Sequence, residues 1–166
     1  MTGRRALAVF SLVFGVVACD QSTKSLATAY LRDRAPTVFL HGTVKLLYAR
    51  NAGAFGSLGA SWPASLRLIA FIVLPVLVLG AVLVHLLRGP DLGRLRSVGM
   101  ALIVAGGVGN LIDRVHDHSV VDFMWFGIGR IGTNVFNVAD VALMVGIGLL
   151  LLERRPQRHP DRRDAL

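Results

Sequence analysis

The chain has 166 residues, of which 54% are apolar and 17% charged, with a formal net charge of +8. Soluble proteins average roughly 25% charged residues, and a chain this short has too little interior to hide so much apolar surface, so its solvent is lipid. Arginine clusters flank apolar runs with few basic or aromatic residues between them, which argues against a nucleic-acid surface, and the single cysteine excludes an internal disulfide framework.

The first element starts with Arg4 and Arg5 and an apolar run from Ala6 that reaches Val16-Val17-Ala18-Cys19. Taken alone, a basic start, an apolar stretch and small residues before a cysteine read as a lipoprotein signal with a lipobox. A membrane span needs about 20 residues, and this segment attains that length only if its helix continues through Cys19, Asp20 and Lys24 to about Tyr30. The region from about 32 to 65 is long for a plain connector. Thr37–Leu40 and Val44–Tyr48 are β-prone runs around His41-Gly42 and predict a hairpin. The glycines of Asn51-Ala52-Gly53-Ala54-Phe55-Gly56 predict close backbone approach.

Leu68–Leu87 carries no formal charge with His85 neutral, and predicts a span over about 67–87. Val98–Ile112 is apolar and glycine-rich and spans with its flanks, about 97–114. A short outer segment follows. Val135–Leu152 is apolar except for Asn137 and Asp140 and predicts a fourth span over about 135–153. The basic, proline-containing residues 154–166 predict a disordered tail. The expectation is one membrane-embedded domain, 1–153, all-α in class, with a small outer hairpin between helices one and two.

Ten of the eighteen basic residues fall in segments that face the cytoplasm if four spans start inside: Arg4, Arg5, Arg88, Arg94, Arg96 and five in the tail. The positive-inside rule favours that orientation, with both termini cytoplasmic. A three-span chain cut before Cys19 satisfies the rule nearly as well.

Four of the nine aspartates, Asp20, Asp113, Asp122 and Asp140, lie in or beside apolar segments. A charge at mid-membrane costs several kcal/mol, about 2.5–3.5 on insertion scales. At about 1.5 Å of rise per residue, Asp20 sits about 22 Å beyond Arg5 and Asp113 about 25 Å beyond Arg96. Asp140 opens the inward-running fourth span, and Asp122 lies in the outer connection. All four therefore share the outer third of the membrane with Lys24, Asn110, Arg114 and Asn137. Asp20 and Lys24 are four apart and share a helix face. Asn110 and Asp113 are three apart, as are Asn137 and Asp140. Gly106, Gly107 and Gly109 permit close helix approach. The bland alternatives are an ion pair for Asp20–Lys24 and interhelical hydrogen bonds for the asparagines. His116 and His118 lack a third ligand and the HExxH spacing, so no metal or other cofactor is expected.

Clustered aspartates serve two chemistries. In a proton- or ion-coupled transporter they relay ions. In an aspartyl hydrolase two adjacent carboxylates cannot both ionise easily, so one is protonated and polarises a carbonyl while the other activates water. The residues alone rank the hydrolase only modestly above the transporter.

Five motifs in order then resemble the lipoprotein signal peptidases, or signal peptidase II. They are Asp20-Gln21-Ser22-Thr23-Lys24, Asn51-Ala52-Gly53-Ala54-Phe55, Gly106-Gly107-Val108-Gly109-Asn110-Leu111-Ile112-Asp113-Arg114, Val120-Val121-Asp122-Phe123 and Phe136-Asn137-Val138-Ala139-Asp140. The resemblance implies a four-helix bacterial inner-membrane aspartyl protease with an extracytoplasmic β-cradle. It implies cleavage of diacylglyceryl-modified prolipoproteins before the lipidated cysteine, by a monomer in contact with membrane lipid, at a site near the outer face. It implies Asp122 and Asp140 as the catalytic pair. Asn51, Asn110, Arg114 and Asn137 match positions that line the site, and Asp20, Lys24, Gly53 and Asp113 match positions that support it. One residue, Ala54, separates Gly53 from Phe55, where many members have two. Because Asp20 and Lys24 need the first span in place, Met1–Ala18 is expected to be retained.

Overall fold

The computed structural model describes residues 3–89, 92–128 and 131–153; the expected disordered tail and the side chain of Phe55 lie outside what is described. Helix α1 is Gly3–Leu31, α2 is Ala64–Arg88 and α3 is Gly93–Asp117. All three are long and apolar enough to cross a membrane. The shorter apolar helix α4 is Val138–Leu152. At its fifteen residues it rises about 22 Å, short of a bilayer's hydrocarbon thickness of about 30 Å. The Ala18–Cys19 bond lies inside unbroken α1, and Cys19 is exposed.

The packing inverts the arrangement of a soluble domain. Phe10, Phe14, Leu77 and Leu151 are exposed, whereas Asp20, Lys24, Asn110, Asp113, Asp122 and Asn137 are buried. A small apolar cluster of Val9, Leu86, Leu92 and Ala101 sits elsewhere in the bundle. Apolar side chains outside and polar ones inside suit a chain whose solvent is hydrocarbon.

Glycines bring α3 and α4 together. A Cβ on Gly106 would overlap the Ala139 carbonyl oxygen, and one on Gly146 would come within 2.6 Å of the Gly99 carbonyl oxygen. Gly106→Ala should therefore destabilise the protein by about 1–3 kcal/mol through overpacking. Gly80, with nothing within 4 Å of a built Cβ, supplies the control: Gly80→Ala should unfold at or above the wild-type temperature in detergent. Equal midpoints for the two variants would refute the close-approach reading.

Helix α2 contains a π segment, Ile69–Val73, just before Pro75. A proline ring clashes with the carbonyl four residues back, here that of Phe71, and the wider turn relieves it. The Phe71 ring stacks on Trp62 with centroids 5.8 Å apart and lies under the Arg114 guanidinium at 5.7 Å.

The predicted hairpin is present as β1 (Thr37–Phe39) and β2 (Val44–Asn51). The connection between α3 and α4, expected to be a short segment joining two spans, holds a strand, β3 (Val120–Ile128), and a short β4 (Ile131–Gly132). The four form an antiparallel sheet in the order β1-β2-β3-β4. The sheet is thus not confined to the stretch between the first two helices. The run Val120-Val121-Asp122-Phe123-Met124-Trp125-Phe126 is β-branched and aromatic, but its apolar residues are nearly continuous, so it shows no alternation to mark a strand.

Candidate active site

The site lies where the C-terminal ends of α1 and α3 and the N-terminal end of α4 meet β2 and β3. Helix α3 ends at His118, whose left-handed backbone (φ 53°) reverses the chain so that β3 starts two residues later. The Val121 N–H then donates to the Asp113 carboxylate at 3.2 Å, and Asp122 is held buried on β3. Asn51 pairs with Val120 in the β2–β3 ladder, which makes Asp122 its diagonal neighbour on the same face. Asn51 Nδ2 donates to Asp122 Oδ2 at 3.2 Å.

Asp140 is placed by the start of α4. Asn137 caps that helix: its Oδ1 accepts from the Asp140 N–H at 3.0 Å, and Asp140 Oδ2 accepts from the Asn137 N–H at 3.3 Å. This reciprocal box satisfies two of the helix's orphan donors. It also fixes the Asn137 amide with its NH2 turned inward, where it donates to Asp122 Oδ1 at 2.7 Å and to Asn110 Oδ1 at 3.1 Å. Asn110 Nδ2 in turn donates to Asp140 Oδ1 at 2.8 Å. Two amides therefore bridge the two carboxylates.

Beneath them lies a charge cluster. Lys24 Nζ meets Asp20 at 2.8 Å, Asp113 at 3.0 Å and Asn110 Oδ1 at 3.1 Å, which uses all three ammonium donors. Asp20 Oδ1 also accepts from the Ala139 N–H at 2.9 Å, at the N-terminus of α4. The i, i+4 pair expected from the spacing is present. It does more than neutralise charge, because it ties α1 to α3 and α4.

Arg114 donates to the Gly53 carbonyl at 2.9 Å and to the Asn110 carbonyl at 3.3 Å. Gly53 itself donates its N–H to Asn51 Oδ1 at 3.1 Å, and a Cβ there would overlap the Leu58 carbonyl oxygen. The expected close approach of this loop is thus real. All ten residues singled out in the sequence converge here. Gln21 was given no role and belongs with them: its Nε2 donates to Asp20 at 3.2 Å, Asp113 at 3.0 Å and the Gly109 carbonyl at 3.1 Å. A polar amide in an apolar helix beside Asp20 was the signal available.

Asn51, Asn110, Arg114, Asp122 and Asp140 line a cavity of about 830 Å³, whose wall also includes Leu74, Val78, Leu79, Ile103, Val141 and Met144. Polar groups in the wall of an apolar cavity suit an amphiphile with a reactive head and apolar body. Burial, and next the negative charge of Asp140, push the Asp122 carboxyl up to about 6 against the opposing effects of Asn51, Asn137 and Lys24. Among the described residues no cluster of three or more His, Cys, Asp or Glu could hold a metal ion.

The raised Asp122 value has a consequence for stability. The native state takes up this proton near pH 6, and an unfolded aspartate only near 3.8. Stability therefore rises as pH falls between those values, and above pH 6 the ionised group costs up to about 3 kcal/mol. Asp122→Asn should raise the unfolding midpoint relative to wild type more at pH 8 than at pH 4.5. A variant-minus-wild-type difference that does not change with pH would contradict the assignment.

The family profile described as Signal peptidase (SPase) II matches residues 12–154. A lipoprotein signal peptidase of Geobacillus thermodenitrificans is 34% identical over 154 residues, covering 92% of each chain. One of Desulforapulum autotrophicum is 37% identical over 160 residues, covering 95% of this chain and 98% of its own. A solved structure described as a bacterial membrane enzyme, determined by the in meso method at 2.3 Å, matches with a TM-score of 0.78 over 92% of this chain and 94% of that one. At 22% identity that likeness speaks for the fold alone. The profile runs from α1 to the end of α4 and so takes in every residue of the carboxylate network: the chain belongs to the signal peptidase II family.

Proposed function

We propose that Asp122 and Asp140 are the catalytic pair with which this chain, a membrane protease of the aspartic type, removes the signal peptide from prolipoproteins. The observation that carries this reading is the amide bridge: Asn137 and Asn110 hold the two carboxylates on the wall of one cavity at 2.7 and 2.8 Å. One aspartate is protonated and donates to the scissile carbonyl oxygen. The other takes a proton from water as the water oxygen attacks the carbonyl carbon. Collapse of the resulting diol breaks the C–N bond, and the nitrogen leaves with a proton from the pair. Relatives named as peptidases over nearly the whole chain leave a transporter without support.

The finer reading follows the charge pattern and the cavity. Four spans, with α4 completed by its flanks, put both termini in the cytoplasm and the sheet and aspartates near the outer face. The chain is one membrane-embedded domain over 1–153 and acts as a monomer. Its first helix is retained, since removal of 1–18 would leave Asp20 and Lys24 on a stub. The substrate is diacylglyceryl-modified and is cut before its lipidated cysteine; its acyl chains lie along the apolar wall of Leu74, Val78 and Met144. Incubating the purified chain with lipidated and unlipidated forms of one prolipoprotein tests this. Mass spectrometry should find a product that begins at the lipidated cysteine, and far slower turnover of the unlipidated form. Cleavage at another bond, or equal rates for both forms, would refute it.

A further inference from the structure

A second cavity, of about 410 Å³, shares Arg114 with the first and has none of the aspartates in its wall. Its polar lining is basic or neutral: Arg67, Arg114, His118 and Ser65, with no carboxylate. The rest of the wall includes Leu68, Phe71 and Ile72 of α2. Each guanidinium is anchored through Nη and unsatisfied at Nε. Arg67 donates one Nη to the His118 carbonyl at 3.1 Å, and Arg114 spends both on the Asn110 and Gly53 carbonyls. The Nε atoms of both arginines are buried and without an acceptor. Neither arginine has an acidic partner within 4 Å among the described residues, and the nearby Asp117 carboxylate is engaged by Arg50 at 3.3 Å. Arg114 also feels the negative charges of Asp140, Asp122 and Asp113, so it is Arg67, with its buried Nε–H unused beside an apolar wall, that an oxyanion in this cavity would serve best, while completing the hydrogen bonding of both guanidiniums.

We propose that this cavity is a phosphate site, distinct from the aspartate cavity, with Arg67 as its principal donor. The chemistry recognised is a phosphate oxyanion, supplied either by the phosphodiester of a bilayer lipid or by free inorganic phosphate. The α2 wall gives a lipid's glycerol and chains a surface to follow, and Arg67 stands at the end of a span, where head groups lie. A phospholipid held here would pack against Arg114, and through it reach the loop at Gly53.

The test uses the purified full chain in neutral detergent, with thermal unfolding and native mass spectrometry as readouts. Three probes are added separately: dioleoyl phosphatidylglycerol, dioleoylglycerol with the same chains and no phosphate, and inorganic phosphate. Phosphatidylglycerol should raise the unfolding temperature and stay bound in the spectrum, and dioleoylglycerol should do neither. Arg67→Gln should weaken phosphatidylglycerol binding by about tenfold or more. A shift with inorganic phosphate that vanishes in Arg67→Gln supports the site and makes the free anion sufficient; a response to the lipid alone supports the lipid as its source. Ser65→Asp covers the case in which Arg67→Gln does not fold. Its carboxylate sits in the first turn of α2, where negative charge is tolerated, and should block phosphatidylglycerol by occupying the cavity. Equal binding by wild type and the variant examined, or an equal response to dioleoylglycerol, would overturn the proposal.

Discussion

Asp122→Asn and Asp140→Asn should each slow cleavage of a lipidated prolipoprotein by about 10²–10⁴-fold, the usual worth of a positioned acid or base, with KM little changed. Asparagine keeps the shape and part of the hydrogen bonding, so the loss would be of proton transfer and not of binding. At position 122 the replacement can still accept from Asn51 or Asn137, which now reach the two carboxylate oxygens at 3.2 and 2.7 Å. At position 140 it can still accept from Asn110 or from the Asn137 N–H, at 2.8 and 3.3 Å in the native protein. Because the pair handles one reaction together, the double variant should be no slower than the worse single one. A time course read by gel mobility, with initial rates over a range of substrate concentrations, gives kcat and KM separately. Either single variant working within about tenfold of wild type would remove its aspartate from the catalytic pair, and a multiplicative double variant would mean that the two act independently.

Much of this site was legible in the sequence because the membrane makes polar residues conspicuous. In a soluble chain Asp20, Lys24, Asn110 and Asp140 would be lost among other charges; within apolar runs each demands a partner, and counting rise per residue brought them to one depth. What depth could not reveal was direction. The turn at His118 sends the chain back as a strand, and only that strand pairs Asn51 of β2 diagonally with Asp122. A nearly continuous apolar stretch carries no period, so β3 read as a link. Nor could spacing show that Asn137 and Asn110 bridge the carboxylates, since that depends on the orientation of two amides across three elements. The π segment before Pro75 was also hidden: proline announces a perturbed helix, but not whether it kinks or widens.

Those amide orientations make Lys24 more than a counter-ion, and Lys24→Met should show it twice over. An ammonium is a donor only, so Lys24 forces the Asn110 oxygen toward itself at 3.1 Å. The Asn110 NH2 is thereby committed to Asp140 at 2.8 Å. Methionine approximates the apolar stem of lysine up to Cε but lacks the ammonium and cannot make that demand. It also leaves Asp20 and Asp113, both buried, without the cation that now lies 2.8 and 3.0 Å from them. Breaking a buried pair in this way costs about 3–5 kcal/mol, so the unfolding midpoint in detergent should fall sharply. A replacement of both charges, Lys24→Met with Asp20→Asn, removes one of the stranded carboxylates and should recover part of the stability. It should not recover the full rate, because the Asn110 oxygen would then be held only by the Asn137 NH2, at 3.1 Å, and its amide would turn more easily. A merely structural Lys24 predicts the opposite: once the folded double variant is compared at equal folded concentration, its kcat should match wild type, and that result would confine Lys24 to holding α1 against α3.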